Sequence, residues 1–168
     1  RDGSNFDVKI TYFYEKEILG TAGALLPMVK SLKESPVIII YGDNYFEIDL
    51  NAVIDFHNLK SSEFTIVVHK RDDVKNSGVV MFDEDLAVTC FVEKPTNGNI
   101  NSKWVNAGVY VINDVSVLKK YIKEKEDYGR DIIPALIKNN HRVFAYQLDS
   151  ELWPIDTPEM LERTKKNN

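Results

Sequence analysis

The sequence predicts an α/β fold in which a mostly parallel sheet has helices on both faces. Segments with strand-like and helix-like patterns alternate along the chain, as is typical of this class. Residues 37–41 and 64–69 are predominantly apolar and rich in β-branched side chains, which suits central strands covered on both sides. The 168 residues contain no repeat and no linker rich in Pro, Gly or Ser, so we expect a single domain.

The strands are predicted from short apolar patterns. Residues 8–14 alternate apolar and polar side chains and predict a first strand, and residues 105–112 and 142–148 predict late ones. Residues 78–82 and 88–92 flank a polar turn and predict a hairpin, so we expect an antiparallel excursion between positions 78 and 112.

Helices are predicted between these strands from apolar spacings of three and four residues. The predicted helices are 22–33, with Pro27 inside it, then 53–59, 115–126, 132–138 and a short last helix that begins at Pro158. Asp49 or Asn51 can cap the second of them, and Asp131 can cap the fourth.

Composition excludes several functional classes. Twenty-one Lys and Arg against 26 Asp and Glu give a formal charge of -5, so we expect no nucleic-acid partner, although a local basic pocket for a small phosphate is compatible with it. The longest apolar run, Val37–Ile40, is far too short to span a bilayer. A single cysteine, Cys90, excludes an internal disulfide and indicates a reducing compartment, so we expect a cytoplasmic protein.

Two glycine-containing turns follow predicted strands. Leu19-Gly20-Thr21-Ala22-Gly23-Ala24 has small residues that let a flat or anionic ligand approach the backbone, and the same pattern suits an ordinary turn before a helix. Gly42-Asp43-Asn44 places a carboxylate directly after a central strand. Such a carboxylate can hold Mg²⁺ together with nucleotide phosphates, or it can cap its own turn.

Two further motifs place charged groups at strand ends. Glu93-Lys94-Pro95 can bind a hydroxylated and phosphorylated substrate, since the carboxylate accepts from hydroxyls and the ammonium neutralises phosphate. In isolation such a pair is more often a surface ion pair. Asp156 is either a second metal ligand or the N-cap of the last helix. The four motifs together are more specific than any one of them.

Six motifs in this order resemble the sugar-1-phosphate nucleotidylyltransferases, or NDP-sugar pyrophosphorylases. They are Leu19-Gly20-Thr21-Ala22-Gly23-Ala24, Tyr41-Gly42-Asp43, Ser77-Gly78-Val79-Val80, Val92-Glu93-Lys94-Pro95, Asn106-Ala107-Gly108-Val109-Tyr110 and Asp156-Thr157-Pro158-Glu159. The resemblance covers almost the whole chain and is nearest to the mannose-1-phosphate and heptose-1-phosphate guanylyltransferase branches. It implies a Rossmann-like sheet of the nucleotide-diphospho-sugar transferase type.

The resemblance also implies a reaction and a set of site residues. In this family an oxygen of a sugar 1-phosphate attacks the α-phosphorus of an NTP, which releases pyrophosphate and an NDP-sugar. The implied catalytic residues are Asp43, Lys94 and Asp156, with Asp43 and Asp156 as ligands of Mg²⁺. The implied substrate-binding residues are Leu19, Gly20, Thr21, Ala22, Gly42, Gly78, Glu93, Lys94 and Asn106. Residues 19–22 would line the nucleobase, Gly78, Glu93 and Asn106 would contact the sugar, and Lys94 its phosphate.

Two departures from the family pattern matter. Many members have Asp-Ile-Gly-Thr-Pro-Glu as the last motif, whereas Pro154-Ile155-Asp156-Thr157 matches the shorter Pro-x-Asp-Thr of the cytidylyltransferase branch. The family's Gly-x-Gly-Thr-Arg-Leu loop, which wraps the triphosphate, does not occur in these 168 residues, and the sequence begins at Arg1. We therefore expect residues 1–168 to be one nucleotidyltransferase-like domain without its first strand and triphosphate loop, with impaired catalysis.

Two other functions remain open at this point. The missing loop favours a non-catalytic module that binds a sugar nucleotide and regulates a partner. A glycosyltransferase would need an Asp-x-Asp metal motif, to which Glu47-Ile48-Asp49 is the nearest approximation. For the leading hypothesis the partners are an NTP and a sugar 1-phosphate. Because the lost strand would leave the strand at Val37–Ile40 unpaired, we also expect a homo-oligomer or another chain that supplies the strand.

Overall fold

The computed structural model describes residues 2–32, 36–96 and 100–167. The strands are β1 (Val37–Ile40), β2 (Asn44–Phe46), β3 (Phe64–Lys70), β4 (Gly78–Phe82), β5 (Val88–Glu93), β6 (Trp104–Ile112), β7 (Val143–Gln147) and β8 (Leu152–Pro154). The helices are α1 (Gly20–Gly23), α2 (Leu50–Leu59), α3 (Val115–Lys119), α4 (Ile133–Lys138) and α5 (Pro158–Asn167), with a 3₁₀ turn at Ser4–Phe6 and a π turn at Tyr128–Ile132. None of the helices in these ranges is long and apolar enough to cross a membrane. The predicted α/β class is confirmed.

The main sheet has six strands, in the order β5-β4-β6-β3-β7 with β1 also beside β6. β1, β3 and β4 each run antiparallel to β6, and β7 runs parallel to β3. Consequently β1, β3, β4 and β7 all point in the same direction, in agreement with the predicted sheet. The antiparallel β6 lies between β1 and β3, so β3 and β7 form the one directly bonded parallel pair within the described ranges. β4 and β5 form the predicted hairpin.

β1 and β4 share one edge of β6 and leave a gap between them. β1 pairs with residues 109–112 of β6, whereas β4 pairs with it at Val105. In the gap, Gly108 has a φ of 73°, and the Tyr41 ring packs against it so closely that a Cβ at position 108 would lie 2.9 Å from a ring carbon. Only glycine suits this backbone and this contact. Residues 106–108 of β6 thus meet an opening in the sheet rather than a strand.

Helices cover both faces of the sheet, as predicted. On one face, Leu118 of α3 and Leu136 of α4 pack in a core with Ile66 of β3. On the other face, Val53 of α2 packs with Val67 of β3. Since successive residues of a strand point to opposite faces, Ile66 and Val67 assign the two cores to the two sides of the sheet.

The beginnings of two helices agree with the predicted signals. Asp49 is the N-cap of α2, and its carboxylate accepts from the N–H groups of Asn51 (2.9 Å) and Ala52 (3.4 Å). α5 begins at Pro158. Its cap is Thr157, whose hydroxyl accepts from Met160 N–H at 3.2 Å, so the alternative in which Asp156 serves as this N-cap is wrong.

The strand predicted at residues 8–14 is wrong. The segment is irregular, and its apolar side chains point into solvent: Val8 is 53% exposed and Tyr14 89%. No strand in the described part of the chain pairs with it. An alternating pattern suits a strand, but its N–H and C=O groups need a neighbouring strand before the strand is stable.

Three helix predictions need correction at their boundaries. The helix predicted at 22–33 is reduced to α1 and a series of turns as far as Ser31, since Pro27 has no N–H for a continuous helix, while Lys33 lies outside the described residues. The helix predicted at 115–126 ends with α3. The helix predicted at 132–138 is preceded by the π turn, and the Asp131 carboxylate accepts from Asp127 N–H at 2.8 Å instead of capping at position 131.

Candidate active site

A cavity of about 310 Å³ lies at the gap between β1 and β4. Its lining contains residues from five of the motifs that the sequence singled out. Among them are Thr21, Asp43, Gly78, Glu93, Lys94 and Asn106. Because they are spread over more than 80 positions of the sequence, only the folded chain can bring them together.

The β4–β5 hairpin positions the Glu-Lys pair. In its register Gly78, the first residue of β4, lies opposite Glu93, the last residue of β5. Lys94 follows with a φ of 46°, in the left-handed region that costs about 1 kcal/mol for a residue with a Cβ. Its N–H donates to the Ser77 carbonyl at 3.0 Å. The turn that carries Lys94 is therefore held by the end of the hairpin.

Two glycines make room for the Glu93 carboxylate. A Cβ on Gly78 would lie 2.9 Å from Glu93 Oε2 and 2.5 Å from the Phe91 ring. A Cβ on Gly129, in the π turn, would lie 2.6 Å from the same oxygen. Any larger residue at either position would therefore displace the carboxylate from the cavity wall.

A chain of polar groups links Asn106 to Tyr41. The Asn106 amide donates to the Tyr110 hydroxyl at 2.6 Å, and that hydroxyl donates to the Tyr41 hydroxyl at 3.5 Å. Burial raises the pKa of both tyrosines, Tyr110 most strongly, so both hydroxyls keep their protons at neutral pH. Asn106 Oδ1 also accepts from Gly108 N–H at 3.0 Å. The amide side chain is therefore held on both sides.

The predicted nucleobase turn is anchored to the protein through its own amides. The N–H groups of Ala22 and Gly23 donate to the Glu126 carbonyl at 3.0 and 3.2 Å. Ala22 is fully buried, and Leu19 borders a neighbouring cavity of about 420 Å³. Thr21 is the member of this turn that lines the site cavity; Gly20 and Ala22, like Gly42 of the next motif, are outside its lining. Since the amides of Ala22 and Gly23 are already bonded, a ligand would meet the surface of this turn rather than those N–H groups.

The chain segments that carry the two carboxylates expected to bind metal are joined by a short antiparallel ladder. β2 and β8 pair antiparallel, and beyond the ladder Ile155 N–H donates to the Asp43 carbonyl at 2.8 Å. This contact aligns Asp43 with the residue directly before Asp156, and both aspartates are exposed. In the described ranges, no three His, Cys, Asp or Glu side chains come together as a metal site. Asp43 lines the cavity and Asp156 does not. By residue type the two carboxylates are donors that Mg²⁺ accepts, because this ion combines one or two protein carboxylates with substrate oxygens.

One segment of the cavity wall, residues 127–130, was not predicted from the sequence. Asp127, Gly129 and Arg130 all line the cavity. The available signal was a glycine between charged residues directly before a helix, at Asp127-Tyr128-Gly129-Arg130. With this segment the lining includes three carboxylates, on Asp43, Glu93 and Asp127, and two cations, on Lys94 and Arg130.

Comparisons with known proteins agree with the motifs. A family model described as Nucleotidyl transferase matches residues 1–157. A glucose-1-phosphate adenylyltransferase from Clostridium beijerinckii is 32% identical over 139 residues, which are 76% of this chain and 35% of the relative. A mannose-1-phosphate guanylyltransferase catalytic subunit beta from Drosophila pseudoobscura pseudoobscura is 29% identical over 160 residues, 94% of this chain and 42% of the relative. The chain thus spans well under half the length of these two relatives.

Solved structures give the same result for the fold. HddC from Yersinia pseudotuberculosis, complexed with GMP-PN, matches this chain with a TM-score of 0.76 at 27% sequence identity. The match covers 95% of this chain and 67% of the HddC chain. A Bacillus anthracis protein, provisionally assigned as a glucose-1-phosphate thymidylyltransferase and complexed with a sucrose, has a TM-score of 0.84 at 18% identity, covering 99% of this chain and 68% of its own. The latter supports the fold alone. Motif order, sheet and family match lead to one conclusion: the chain belongs to the nucleotidyl transferase family.

Proposed function

We propose that this chain is the catalytic domain of a sugar-1-phosphate nucleotidylyltransferase, which forms an NDP-sugar and pyrophosphate from an NTP and a sugar 1-phosphate. The observation that carries the proposal is the convergence of Thr21, Asp43, Glu93, Lys94 and Asn106 on one cavity. The relatives named above support the same reaction class by their own names.

The proposed reaction needs alignment and charge neutralisation more than covalent chemistry. A phosphate oxygen of the sugar 1-phosphate forms a bond to the α-phosphorus, and the bond from that phosphorus to the pyrophosphate oxygen breaks. Lys94 would neutralise the phosphate of the sugar, and the Glu93 carboxylate would accept from sugar hydroxyls. Holding both substrates in line supplies a large part of the rate enhancement in such transfers.

The proposed metal ligands are Asp43 and Asp156, and the proposed ion is Mg²⁺. When bound, the ion supplies positive charge against the phosphate oxygens of the NTP. The backbone contact between Asp43 and Ile155 would keep the two carboxylate-bearing loops aligned as substrates bind. The remaining substrate contacts, from Leu19, Gly20, Thr21 and Ala22 to the nucleobase and from Gly42, Gly78 and Asn106, complete the proposed site.

The experiment is pyrophosphate release by the intact protein. GTP or ATP would be combined with mannose 1-phosphate or glucose 1-phosphate in the presence of MgCl2. We expect one pair to give steady release, and Asp43→Asn to lower it about 100-fold or more, since a carboxylate ligand of the metal is lost. Asp72→Asn removes a carboxylate whose side chain is 94% exposed, and it serves as the matched control. If none of these pairs is active, CTP, UTP and dTTP are tested in the same way, and absence of release with all the common NTPs and sugar 1-phosphates would overturn the proposal.

A non-catalytic sugar-nucleotide-binding module is the competing function. It predicts that an NDP-sugar binds with the same affinity with and without Mg²⁺ and in the Asp43→Asn variant. The enzyme predicts affinity that depends on both. Titration calorimetry with GDP-mannose and ADP-glucose separates these outcomes.

The proposal extends to the completeness of the sheet and to location. Among the described residues β1 pairs on one side only, and Ile40 at its end is 49% exposed. We propose that residues 1–168 form one nucleotidyltransferase-like domain whose sheet is completed by a strand outside them, from the same chain, another chain or a second copy. Sedimentation of residues 1–168 should show self-association, and a well-ordered monomer of these residues with a continuous sheet and no substitute strand would contradict this. A cytoplasmic location is proposed with it, because the chain has one cysteine.

A further inference from the structure

The turn expected to line the nucleobase rests directly on the segment before the π turn. The Glu126 carbonyl accepts from the Ala22 and Gly23 N–H groups. Gly20 has a φ of 77°, and a Cβ there would clash with the backbone of Lys125 and Glu126. The two segments are more than 100 positions apart in the sequence, so their contact is a tertiary feature of the site.

Asp127 joins these segments through its side chain. Its Oδ1 accepts from both the N–H of Thr21 (3.0 Å) and the hydroxyl of Thr21 (3.1 Å). The same hydroxyl accepts from Tyr128 N–H at 3.0 Å, and Asp127 N–H donates to the Asp131 carboxylate at 2.8 Å. These contacts join the turn at Thr21 to the segment at residues 127–131.

The second oxygen of the same carboxylate faces a cation of the cavity. Asp127 Oδ2 lies 3.7 Å from Arg130 Nη1, and the Arg130 side chain is 62% exposed. Thr21, Asp127 and Arg130 all line the cavity that contains Glu93 and Lys94. One carboxylate therefore contacts both the turn on one side of the cavity and a cation on its rim.

A carboxylate in the wall of a site for anionic substrates repels those substrates unless neighbouring donors or cations offset its negative charge. Both oxygens of Asp127 are engaged, one by Thr21 and one by Arg130. This arrangement distinguishes Asp127 from Asp43, whose carboxylate accepts from the neighbouring Asn44 side chain and faces solvent. Asp127 is therefore suited to fix other groups rather than to bind metal.

We propose that Asp127 is a positioning residue that holds Thr21 against the nucleotide and Arg130 beside the substrate phosphates. The inference rests on the proposed function, since it assigns a role within that site. The two oxygens would have separable roles. Oδ1 needs only an acceptor, so an asparagine can replace it, whereas the contact with Arg130 needs the negative charge.

The test uses the intact protein with Asp127→Ala, Asp127→Asn and the control Asp72→Ala, which removes another ion-paired carboxylate far from Thr21 in the sequence. GTP and ATP, each with MgCl2, are titrated by calorimetry, and then mannose 1-phosphate and glucose 1-phosphate. For Asp127→Ala we expect about tenfold weaker binding of the nucleotide, as for the loss of a charge-assisted hydrogen bond. Asp127→Asn keeps the acceptor for Thr21, so its nucleotide affinity should lie within about threefold of wild type. Both variants lack the charge that holds Arg130, so both should bind the sugar 1-phosphate more weakly than wild type.

Hydrogen exchange provides a readout that does not depend on any ligand. The Thr21 amide should exchange about tenfold or more faster in Asp127→Ala, and near the wild-type rate in Asp127→Asn and Asp72→Ala. Failure of the wild type to bind GTP, ATP or any other common NTP would overturn the proposed function. Wild-type binding that is unchanged in Asp127→Ala, or a folded Asp127→Asn that binds nucleotide as weakly as Asp127→Ala, would overturn the positioning role alone.

Discussion

Replacing Gly129 by alanine should weaken sugar-phosphate binding with little effect on folding. Gly129 lies in the π turn Tyr128–Ile132, a helical conformation that alanine adopts readily. Its added Cβ would lie 2.6 Å from Glu93 Oε2, where an ordinary contact begins at 3.4 Å. The carboxylate must therefore move by about 0.8 Å, and it can do so because it is the end of a flexible side chain.

That displacement sets the size of the effect. A hydrogen bond of about 2.8 Å from a sugar hydroxyl to Glu93 would lengthen to about 3.6 Å, beyond hydrogen-bonding distance. Loss of a bond to a charged group costs about 1.5–3 kcal/mol, which corresponds to roughly 10- to 100-fold weaker binding. The free energy of unfolding should change by about 1 kcal/mol or less, because the carboxylate can rotate away and the Phe91 ring, 3.2 Å from the added Cβ, needs to shift by only a few tenths of an ångström.

The assay is a double-mutant cycle measured by calorimetry with the sugar 1-phosphate that the wild type binds most tightly. Gly129→Ala, Glu93→Ala and the double variant are compared with wild type. Because the glycine acts through Glu93, Gly129→Ala should add almost nothing in the Glu93→Ala background. Full additivity of the two effects, or wild-type affinity in Gly129→Ala, would refute the reasoning.

Three further predictions concern stability. Burial lowers the pKa of His57 and His69 below 6.5, so the folded state favours the neutral form of both side chains. Because the unfolded chain takes up these protons more readily, the urea midpoint should fall as the pH drops through 6.5. Equal midpoints at about pH 8 and pH 5.5 would contradict this. The Tyr128 hydroxyl is buried without a hydrogen-bond partner among the described residues, so Tyr128→Phe should raise the free energy of unfolding by about 1 kcal/mol, and a loss of stability would show that the hydroxyl is satisfied. Asp49→Ala removes the α2 cap and should cost about 1 kcal/mol in urea unfolding while Mg²⁺-dependent nucleotide binding stays unchanged; loss of that binding would favour the Asp-x-Asp alternative.

Local chemistry explains where prediction from sequence succeeded. Two apolar runs around a polar turn predict the β4–β5 hairpin. Asp49 and Pro158 predict where α2 and α5 begin. The motif residues of the cavity were also accessible, because their types and order in the chain resemble a known family. These signals depend only on neighbouring residues or on motifs that the family shares.

Where prediction failed, the deciding partner was distant in the sequence. Residues 8–14 have the alternation of a strand but no neighbouring strand in the described part of the chain. In the sequence Asp127 has no feature that distinguishes it from other surface carboxylates. Its partner Thr21, which donates to it in the folded chain, lies 106 positions away. Gly129 reads as a flexible residue until the Glu93 carboxylate occupies the space beside it.

The sequence by itself determined the α/β class, most strands and the starts of two helices, because periodicity and capping are properties of short segments. Only the tertiary structure decided that β1 and β4 leave a gap along β6, and that the segment at Asp127 and Gly129 closes the resulting cavity. The physical reason is that strand pairing and close packing depend on contacts between distant residues, and no local pattern specifies which of them meet.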